Sequence, residues 1–250
     1  MDADDYLPNN AISTLVKALE SAGADIAIGT FDYVYADKPQ PHAGRLVKGV
    51  YDIQQLLPSF IDDGTLSGFL IGSVCATLYK NDIVIENQVA FDTEVRNNED
   101  GLFNFEYAIH AQKVAVVDDC VYCYRQHNQG GSSKRVKEVD FNSKIIHRIE
   151  NLPWNKEKNH FSEQVKARNV SLALWDILLY PKAMGVPEGI NYISKRIKSG
   201  EVREGLKFIK YNKLTTYKKV FAYLIKFKLS VTLYLIVRHV YPYLSSRLRR

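Results

Sequence analysis

Three carboxylates stand within four residues near the start of the chain, in Asp2-Ala3-Asp4-Asp5. Unpaired carboxylates this close repel one another, and a bound cation relieves the repulsion. Hard oxygen ligands suit Mg²⁺ or Mn²⁺, ions that usually keep several waters and also bind substrate phosphates. The stretch is therefore a candidate metal site, and the alternative is an acidic turn in solvent.

A second acidic pair, Glu99-Asp100, follows two asparagines and precedes an apolar run that predicts a helix. Acids in the first turn of a helix cap it and complement its dipole, which is one interpretation. The other is a carboxylate at the mouth of a cleft that takes a proton from an attacking hydroxyl.

A third polar cluster, Tyr124-Arg125-Gln126-His127, is followed by Ser132-Ser133. Arginine offers a planar fork for phosphate oxygens, histidine can ligate a metal, and serine can donate to phosphate. A histidine in a loop is more often simply solvated. This cluster therefore indicates a binding site only when it is considered together with the two acidic stretches.

The segments around these residues predict an α/β arrangement. Pro8-Asn9-Asn10 supplies a helix start with Asn9 or Asn10 as the N-cap, and residues 25–31 are typical of a buried strand. The acidic stretch is then a turn before a helix, and a strand follows that helix. Asp52 caps a short helix, and Asp62-Asp63-Gly64 is a turn whose two acids we expect to be solvated.

From about Val139 the pattern predicts only helices. We expect a first domain over residues 1–138 and a helical extension over 139–250. The candidate helices are 139–150, 160–180, 187–198, 201–211 and one continuous helix over 216–237.

The charge is unevenly distributed along the chain. The net charge is +5, yet residues 205–250 contain eleven Lys or Arg and no acid, while the other residues carry a net charge of −6. This is not the pattern of a fold that binds nucleic acid over its whole surface.

The last predicted helix is basic and amphipathic, with one apolar face formed by Val220, Leu224, Phe227, Val231 and Tyr234. Such a helix can lie in a membrane interface that contains anionic lipid, and the alternative is that it packs on its own domain. The uncharged apolar run Leu229–Val237 is far too short to span a bilayer, and no signal peptide is visible.

Three cysteines do not make a disulfide framework in a chain of 250 residues, which favours a reducing compartment. Cys120 and Cys123 form a lone CxxC within a predicted strand. Residues three apart in a strand point to opposite faces, so a zinc or redox role is not favoured.

Taken in order, these motifs resemble the family 2 glycosyltransferases with the GT-A fold, the bacterial type that decorates capsules, exopolysaccharides and teichoic acids. The stretch from Asp2 to Leu7 is similar to the family's DxD stretch, and Asn98 to Asn104 is similar to its Glu-Asp acceptor motif. Tyr122 to Arg125, with His127 and Ser132, resembles the segment that folds over the nucleotide diphosphate. The resemblance covers residues 2–133.

The resemblance implies an α/β fold, an incomplete GT-A-like (Rossmann-like) sheet followed by an α-helical extension. It implies that Asp4 ligates Mn²⁺ or Mg²⁺, with His127 as a further ligand. Asp2 would lie near the donor ribose or the metal, and Arg125 and Ser132 would close on the diphosphate. The metal would neutralise the leaving group of a nucleotide-sugar donor.

The same resemblance implies that Asp100 is the general base and that Glu99 binds the acceptor. The implied reaction is the inverting transfer of a sugar to a surface-polysaccharide or other cell-envelope acceptor, a glycan or a lipid-linked one. The implied location is cytoplasmic, peripheral at the inner face of the cell membrane. The chain lacks the Gln-x-x-Arg-Trp signature of processive relatives, so transfer of one or a few sugars is expected.

In the family, a nucleotide-binding half of roughly 80–90 residues precedes the DxD, whereas here the motif begins at Asp2. We therefore expect this polypeptide alone to be weak or inactive in catalysis. The alternative function is a truncated, non-catalytic remnant that acts as a membrane- or partner-binding module.

Overall fold

The computed structural model describes residues 2–35, 38–42, 44–126 and 141–241. The chain forms two compact units. The first comprises Met1–Leu57 and Leu70–Asn155, and the second comprises Pro58–Phe69 and Lys156–Arg250. The predicted domain boundary at residues 138/139 lies outside the described residues. The predicted fold class, a mixed α/β sheet followed by helices, is confirmed.

Within the described residues, the sheet of the first unit has five strands. They are β1 (Ile26–Tyr35), β2 (Lys38–His42), β3 (Gly49–Asp52), β4 (Thr77–Tyr79) and β5 (Lys113–Gln126). Their order is β2-β1-β5-β3, with β4 also paired to β1. Strands β1 and β5 are parallel and place Tyr122 beside Phe31 and Tyr124 beside Tyr33, while the other pairs are antiparallel.

In the part of the first unit that the structure describes, the helices are α1 (Ala11–Ala22), α2 (Ile53–Leu56), α3 (Asn81–Glu86), α4 (Glu99–Ala108) and α5 (Phe141–Asn151). Helix α1 begins after Asn10, as predicted, and ends at Gly23, whose φ of 55° is the left-handed conformation that glycine adopts without strain. Ala11 and Leu15 of α1 pack against the sheet at Ala27 and Val121. Asp52 caps α2 as predicted, because its side chain accepts a hydrogen bond from the Gln54 amide.

The second unit is helical, with α6 (Phe161–Leu179), α7 (Val186–Lys198), α8 (Gly200–Gly205), α9 (Thr216–Lys226) and α10 (Ser230–Leu235). The prediction of one continuous helix over 216–237 is wrong. Lys228 has a φ of 60°, a left-handed conformation that a helix cannot contain, and the chain turns there. The described residues contain no helix long and apolar enough to cross a membrane.

The prediction that Asp62 is solvated is also wrong. Its side chain is buried and accepts hydrogen bonds from the Gly64 amide (2.8 Å), the Gly68 amide (3.2 Å) and the Ser171 hydroxyl (2.6 Å). Arg168 of α6 is buried as well and lies over the Phe69 ring at 4.4 Å. Residues 58–69 are thus attached to α6 by a polar cluster inside the unit.

Burial dominates the ionisation of this cluster. It raises the pKa of Asp62 and lowers the pKa of Arg168 to about 10, and the opposite charge of each residue counteracts the shift of the other. Buried charges of this kind are tolerated when they are paired and hydrogen-bonded.

Candidate functional site

The acidic turn is attached to the end of β5 through Asp5. The Asp5 carboxylate is buried and accepts hydrogen bonds from the Tyr122 hydroxyl (2.7 Å) and the Arg125 amide (2.8 Å). Backbone hydrogen bonds between Tyr6 and Cys123, at 3.2 and 2.9 Å, extend the attachment. Asp2 and Asp4 remain exposed on this fixed turn. Asp5 therefore acts as an anchor that presents the two predicted site carboxylates.

Asp100 lies in the first turn of α4, as predicted, after Asn98 in a left-handed conformation with φ 62°. Its carboxylate accepts a hydrogen bond from the Val74 amide at 3.1 Å. Burial raises the pKa of Asp100, and the negative charge of Asp2 raises it further, while hydrogen bonds from Val74 and Ser73 act in the opposite direction. The structure thus brings Asp2 close enough to Asp100 for their charges to interact.

Helix α4 also fixes the segment that meets Asp100. The buried Asn104 side chain donates to the carbonyls of Ile71 and Ser73, both at 3.1 Å, and accepts from the Tyr79 hydroxyl. One turn later, the Tyr107 hydroxyl accepts from the Lys80 amide at 3.0 Å. Because one helix carries all these contacts, Asp100 and residues 71–74 form one rigid arrangement.

Cys75 stands between the two acidic motifs. Burial raises the pKa of its thiol, the charges of Asp100 and Asp2 add to this, and hydrogen bonds with Ser73 and Tyr122 counteract it. A thiol in this environment stays protonated at neutral pH and is a poor nucleophile. Cys75 therefore lies close to both Asp100 and Tyr122, and it is not a reactive cysteine.

The remaining predicted site residues are only partly described. Arg125 is exposed, and its guanidinium lies over the Tyr6 ring at 5.2 Å, next to the acidic turn. Glu99 is half-buried at the start of α4. His127 and Ser132 lie outside the described residues.

The side chains near the acidic turn decide whether the predicted metal ion could bind there. Within the described residues, no group of three or more His, Cys, Asp or Glu side chains could hold a metal ion. The exposed carboxylates of Asp2 and Asp4 are nevertheless hard oxygen donors, which fit an ion that keeps several waters and shares substrate phosphates. The fit is therefore to a weakly held Mg²⁺ or Mn²⁺ and not to a closed structural site.

Several residues of this site were missed by the sequence reasoning. Asp5 was not separated from its acidic neighbours, and the supporting roles of Tyr122, Ser73 and Asn104 were not foreseen. Asn104 offered one signal, since it is a polar residue between Phe103 and Phe105 in an apolar helix. Buried polar groups need partners, so such a residue indicates a hydrogen-bonded contact.

The chain is similar in sequence to a known glycosyltransferase. No protein-family model matches the chain. Over 185 residues, 69% of this chain, the sequence is 26% identical to the glycosyltransferase GlyA of Streptococcus pneumoniae serotype 4. The match covers 26% of GlyA.

The fold is similar to that of TarS 1-349 from S. aureus. The structure of TarS in complex with UDP-GlcNAc matches with a TM-score of 0.55 and 15% identity, covering 97% of this chain and 66% of that one. A second structure of TarS 1-349 gives a TM-score of 0.53 at 14% identity. The chain thus spans about a quarter of the length of GlyA and about two thirds of TarS 1-349. The predicted resemblance to glycosyltransferases is confirmed in sequence and in fold.

Proposed function

We propose that this chain is the part of a glycosyltransferase that holds the catalytic base and the donor's diphosphate, and that it transfers a sugar from a nucleotide-sugar donor to a cell-envelope acceptor. The observation that carries the proposal is that Asp100, half-buried at the start of α4, lies close enough to Asp2 for the charge of Asp2 to raise the pKa of Asp100. In this order, the two motifs resemble the DxD stretch and the Glu-Asp acceptor motif of the family 2 glycosyltransferases.

In this proposal Asp100 takes the proton from the acceptor hydroxyl. A general base works best when its pKa lies near the operating pH, and burial moves the pKa of Asp100 in that direction. The hydrogen bond from the Val74 amide holds the carboxylate in place. Glu99, at the same helix start, would bind the acceptor, and a single displacement would invert the configuration at the sugar carbon.

The donor side of the proposal rests on the acidic turn. Asp4, with His127, would hold Mn²⁺ or Mg²⁺, and Asp2 would lie near the metal or the donor ribose. The metal would supply positive charge for the diphosphate leaving group. Arg125 and Ser132 would bind the diphosphate oxygens. TarS was crystallised with UDP-GlcNAc and with UDP, which makes a UDP-sugar the first donor to test.

The proposed acceptor is a surface polysaccharide or another glycan or lipid-linked carrier of the cell envelope. The proposed place of action is the cytoplasm, at the inner face of the membrane.

The donor site is tested by titrating the purified chain with UDP, once with Mn²⁺ and once with EDTA, by calorimetry. We expect binding that depends on Mn²⁺ and is lost in Asp4→Ala. The matched control is Glu86→Ala, an exposed acid of α3, which should bind like the wild type. Absence of binding to the wild type in Mn²⁺ would contradict the donor site.

The second candidate function is a non-catalytic remnant, and it is considered because the chain spans only about a quarter of the length of GlyA and about two thirds of TarS 1-349. The two functions are separated by incubating the chain with a UDP-sugar, Mn²⁺ and envelope glycans. Measurable transfer excludes the remnant, whereas partner binding without transfer favours it.

A further inference from the structure

The two last helices of the second unit form an elbow, which we define as α9, α10 and the joining residues 227–229. One side of this elbow is part of the unit's core. Its buried residues are Phe221, Ala222, Ile225, Leu233, Tyr234 and Val237. An amphipathic helix buries one apolar face against the core, and this side of the elbow is that face.

The other side of the elbow is also apolar, yet it is exposed. On α9, Val220 and Tyr223 lie on one outward stripe with Phe227, which is 64% exposed. On α10, Val231 and Leu235 are 53% and 50% exposed. The Tyr223 and Phe227 rings are stacked at 6.2 Å, so they present a single aromatic projection near the turn.

This outward face is different from the one expected from the sequence. Tyr234 was placed on the apolar face with Val220, Phe227 and Val231, but it is buried while the other three are exposed. The difference arises at Lys228, whose left-handed conformation ends α9 and changes the direction of the chain. The segment therefore has features of both alternatives, packing on its own unit and binding a membrane. One side packs on the unit, and the other side is apolar and exposed.

The elbow itself carries four lysines and no acidic residue. Lys219, Lys226 and Lys228 are exposed there, and residues 205–250 contain eleven Lys or Arg and no acid. The Lys226 ammonium lies over the Tyr211 ring, 5.2 Å from its centroid, a cation–π contact.

This combination selects among possible occupants. A second copy of the chain would bring the same positive charge to the contact, which like-charge repulsion disfavours. A nucleic acid would pair with the lysines but would leave the apolar stripes in water. An anionic bilayer satisfies both, because apolar side chains enter the interface while lysines remain at the phosphate level.

We propose that the outward face of the elbow binds the surface of an anionic lipid bilayer, with Phe227 and the α10 stripe inserted into the interface. This proposal deepens the proposed location at the membrane but is independent of sugar transfer, so its failure would leave the proposed reaction untouched.

The proposal is tested by sedimentation of the full 250-residue chain with two kinds of vesicle, phosphatidylcholine alone and phosphatidylcholine mixed with phosphatidylglycerol. We expect binding to the mixed vesicles that weakens with added salt. The double variant Phe227→Ser, Val231→Ser should bind at least about tenfold more weakly, because it loses apolar side-chain groups that would enter the bilayer interface. The matched control, Trp175→Ser with Val186→Ser, removes two equally exposed apolar residues of the same unit and should bind like the wild type.

Two further arms keep the test decisive. The variant Lys219→Glu, Lys228→Glu should lose the dependence on phosphatidylglycerol, whereas Lys17→Glu, Lys195→Glu should retain it. The single variant Phe227→Trp should add a fluorescence that brominated lipid quenches, which reports insertion directly even if a serine variant folds poorly.

Three results would overturn the proposal. The first is a wild type that does not sediment with anionic vesicles, and the second is a Phe227 and Val231 variant that binds as strongly as the wild type. The third is a dimer, dependent on protein concentration, that this variant dissociates while vesicle binding is unchanged. That result would make the face an interface between copies of the chain.

Discussion

Asp5 and Asp100 show how the same side chain is used in two ways within one site. Asp5 accepts from a tyrosine hydroxyl and a backbone amide, so its charge is compensated and its role is to hold the turn. Asp100 has one backbone donor in Val74 and the charge of Asp2 nearby, so its protonated form is favoured relative to an ordinary aspartate. The first arrangement suits an anchor and the second suits a base.

The substitution Asp100→Asn is expected to separate function from stability. Because the pKa of Asp100 is raised on folding, the folded state binds a proton more tightly than the unfolded state. The wild type therefore loses stability as the pH rises through the interval between the ordinary and the raised value. The variant should be as stable as the wild type or more stable above that interval, as measured by urea unfolding across pH. If the variant is less stable at neutral pH, the raised pKa is wrong.

The same variant is expected to lower sugar transfer by about a hundredfold to ten-thousandfold, the usual contribution of a general base. The wild-type rate should rise with pH through a pKa above the ordinary aspartate range. The residual rate of the variant should not show this rise. A variant with an unchanged rate and pH profile would remove Asp100 from the role of base.

The anchor is tested by Tyr122→Phe, which removes one of the two donors to the buried Asp5. A hydrogen bond to a charged group contributes about 1.5–3 kcal/mol, so the free energy of unfolding should fall by about that amount. Tyr6→Phe, on the exposed part of the same turn, should change it by less than about 0.5 kcal/mol. Equal effects in the two variants would show that Asp5 does not depend on Tyr122.

At the scale of elements, the sequence predicted a helix start or cap correctly where the residues that determine it lie close together in the chain. The starts of α1 and α4 and the Asp52 cap follow from residues within one turn, and all three were predicted. The contacts that build the site could not be predicted in this way. Tyr122 reaches Asp5 across 117 residues, and Val74 reaches Asp100 across 26, and no local pattern specifies such a pairing.

The errors have the same origin. Asp62 follows ordinary turn chemistry, so the sequence predicts a solvated acid, and only Ser171 and Arg168 of the distant helix α6 make it a buried one. Residues 216–237 have an uninterrupted helical pattern of apolar residues. Phe221 and Tyr234 are nevertheless both buried only because the chain turns at Lys228. In both cases tertiary packing overrides a local preference.

Two glycines of α8 provide a matched prediction about helix packing. A Cβ at Gly205 would collide with the Lys166 carbonyl and lie 2.7 Å from a Val170 methyl of α6, so Gly205→Ala should cost about 1–3 kcal/mol. A Cβ at Gly200 would have no heavy atom within 4 Å. Gly200→Ala should therefore be neutral or stabilise by up to about 1 kcal/mol, by restricting the unfolded chain. Thermal unfolding measures both, and effects of the same sign would contradict the close packing of α6 and α8.

The buried cluster around Asp62 predicts a strong effect and a partial rescue. Asp62→Ala removes the acceptor of three hydrogen bonds and the negative charge that acts on the buried Arg168, and it should cost about 3–5 kcal/mol. The control Asp63→Ala removes hydrogen bonds to the Thr65 amide and hydroxyl at a half-buried turn and should cost only about 1 kcal/mol. Adding Arg168→Met to Asp62→Ala should recover part of the loss in urea unfolding. A double variant whose cost equals the sum of the two single variants would show that the charges do not interact.

At the scale of the whole molecule, the path of the chain is the main constraint. The second unit is not a continuous segment, because residues 58–69 belong to it while residues 1–57 and 70–155 belong to the first. Leu66 from this short segment is part of the second unit's core.

We therefore expect the fragment 156–250 to lack a cooperative unfolding transition when produced alone. Joining residues 58–69 to its start through a flexible linker should restore the transition, because Leu66 and Asp62 return to their partners. Circular dichroism during urea titration measures this. A cooperative transition in the fragment without residues 58–69 would show that the segment is dispensable.

The interrupted path also has a consequence for how the chain is made. Asp62 precedes Ser171 by 109 residues, so at about 5–20 residues per second a ribosome releases the acceptor roughly 5 to 20 seconds before its donor. During that interval residues 70–155 of the first unit are synthesised, and Leu66 stays without its core. Slower translation beyond residue 69 would prolong this stage.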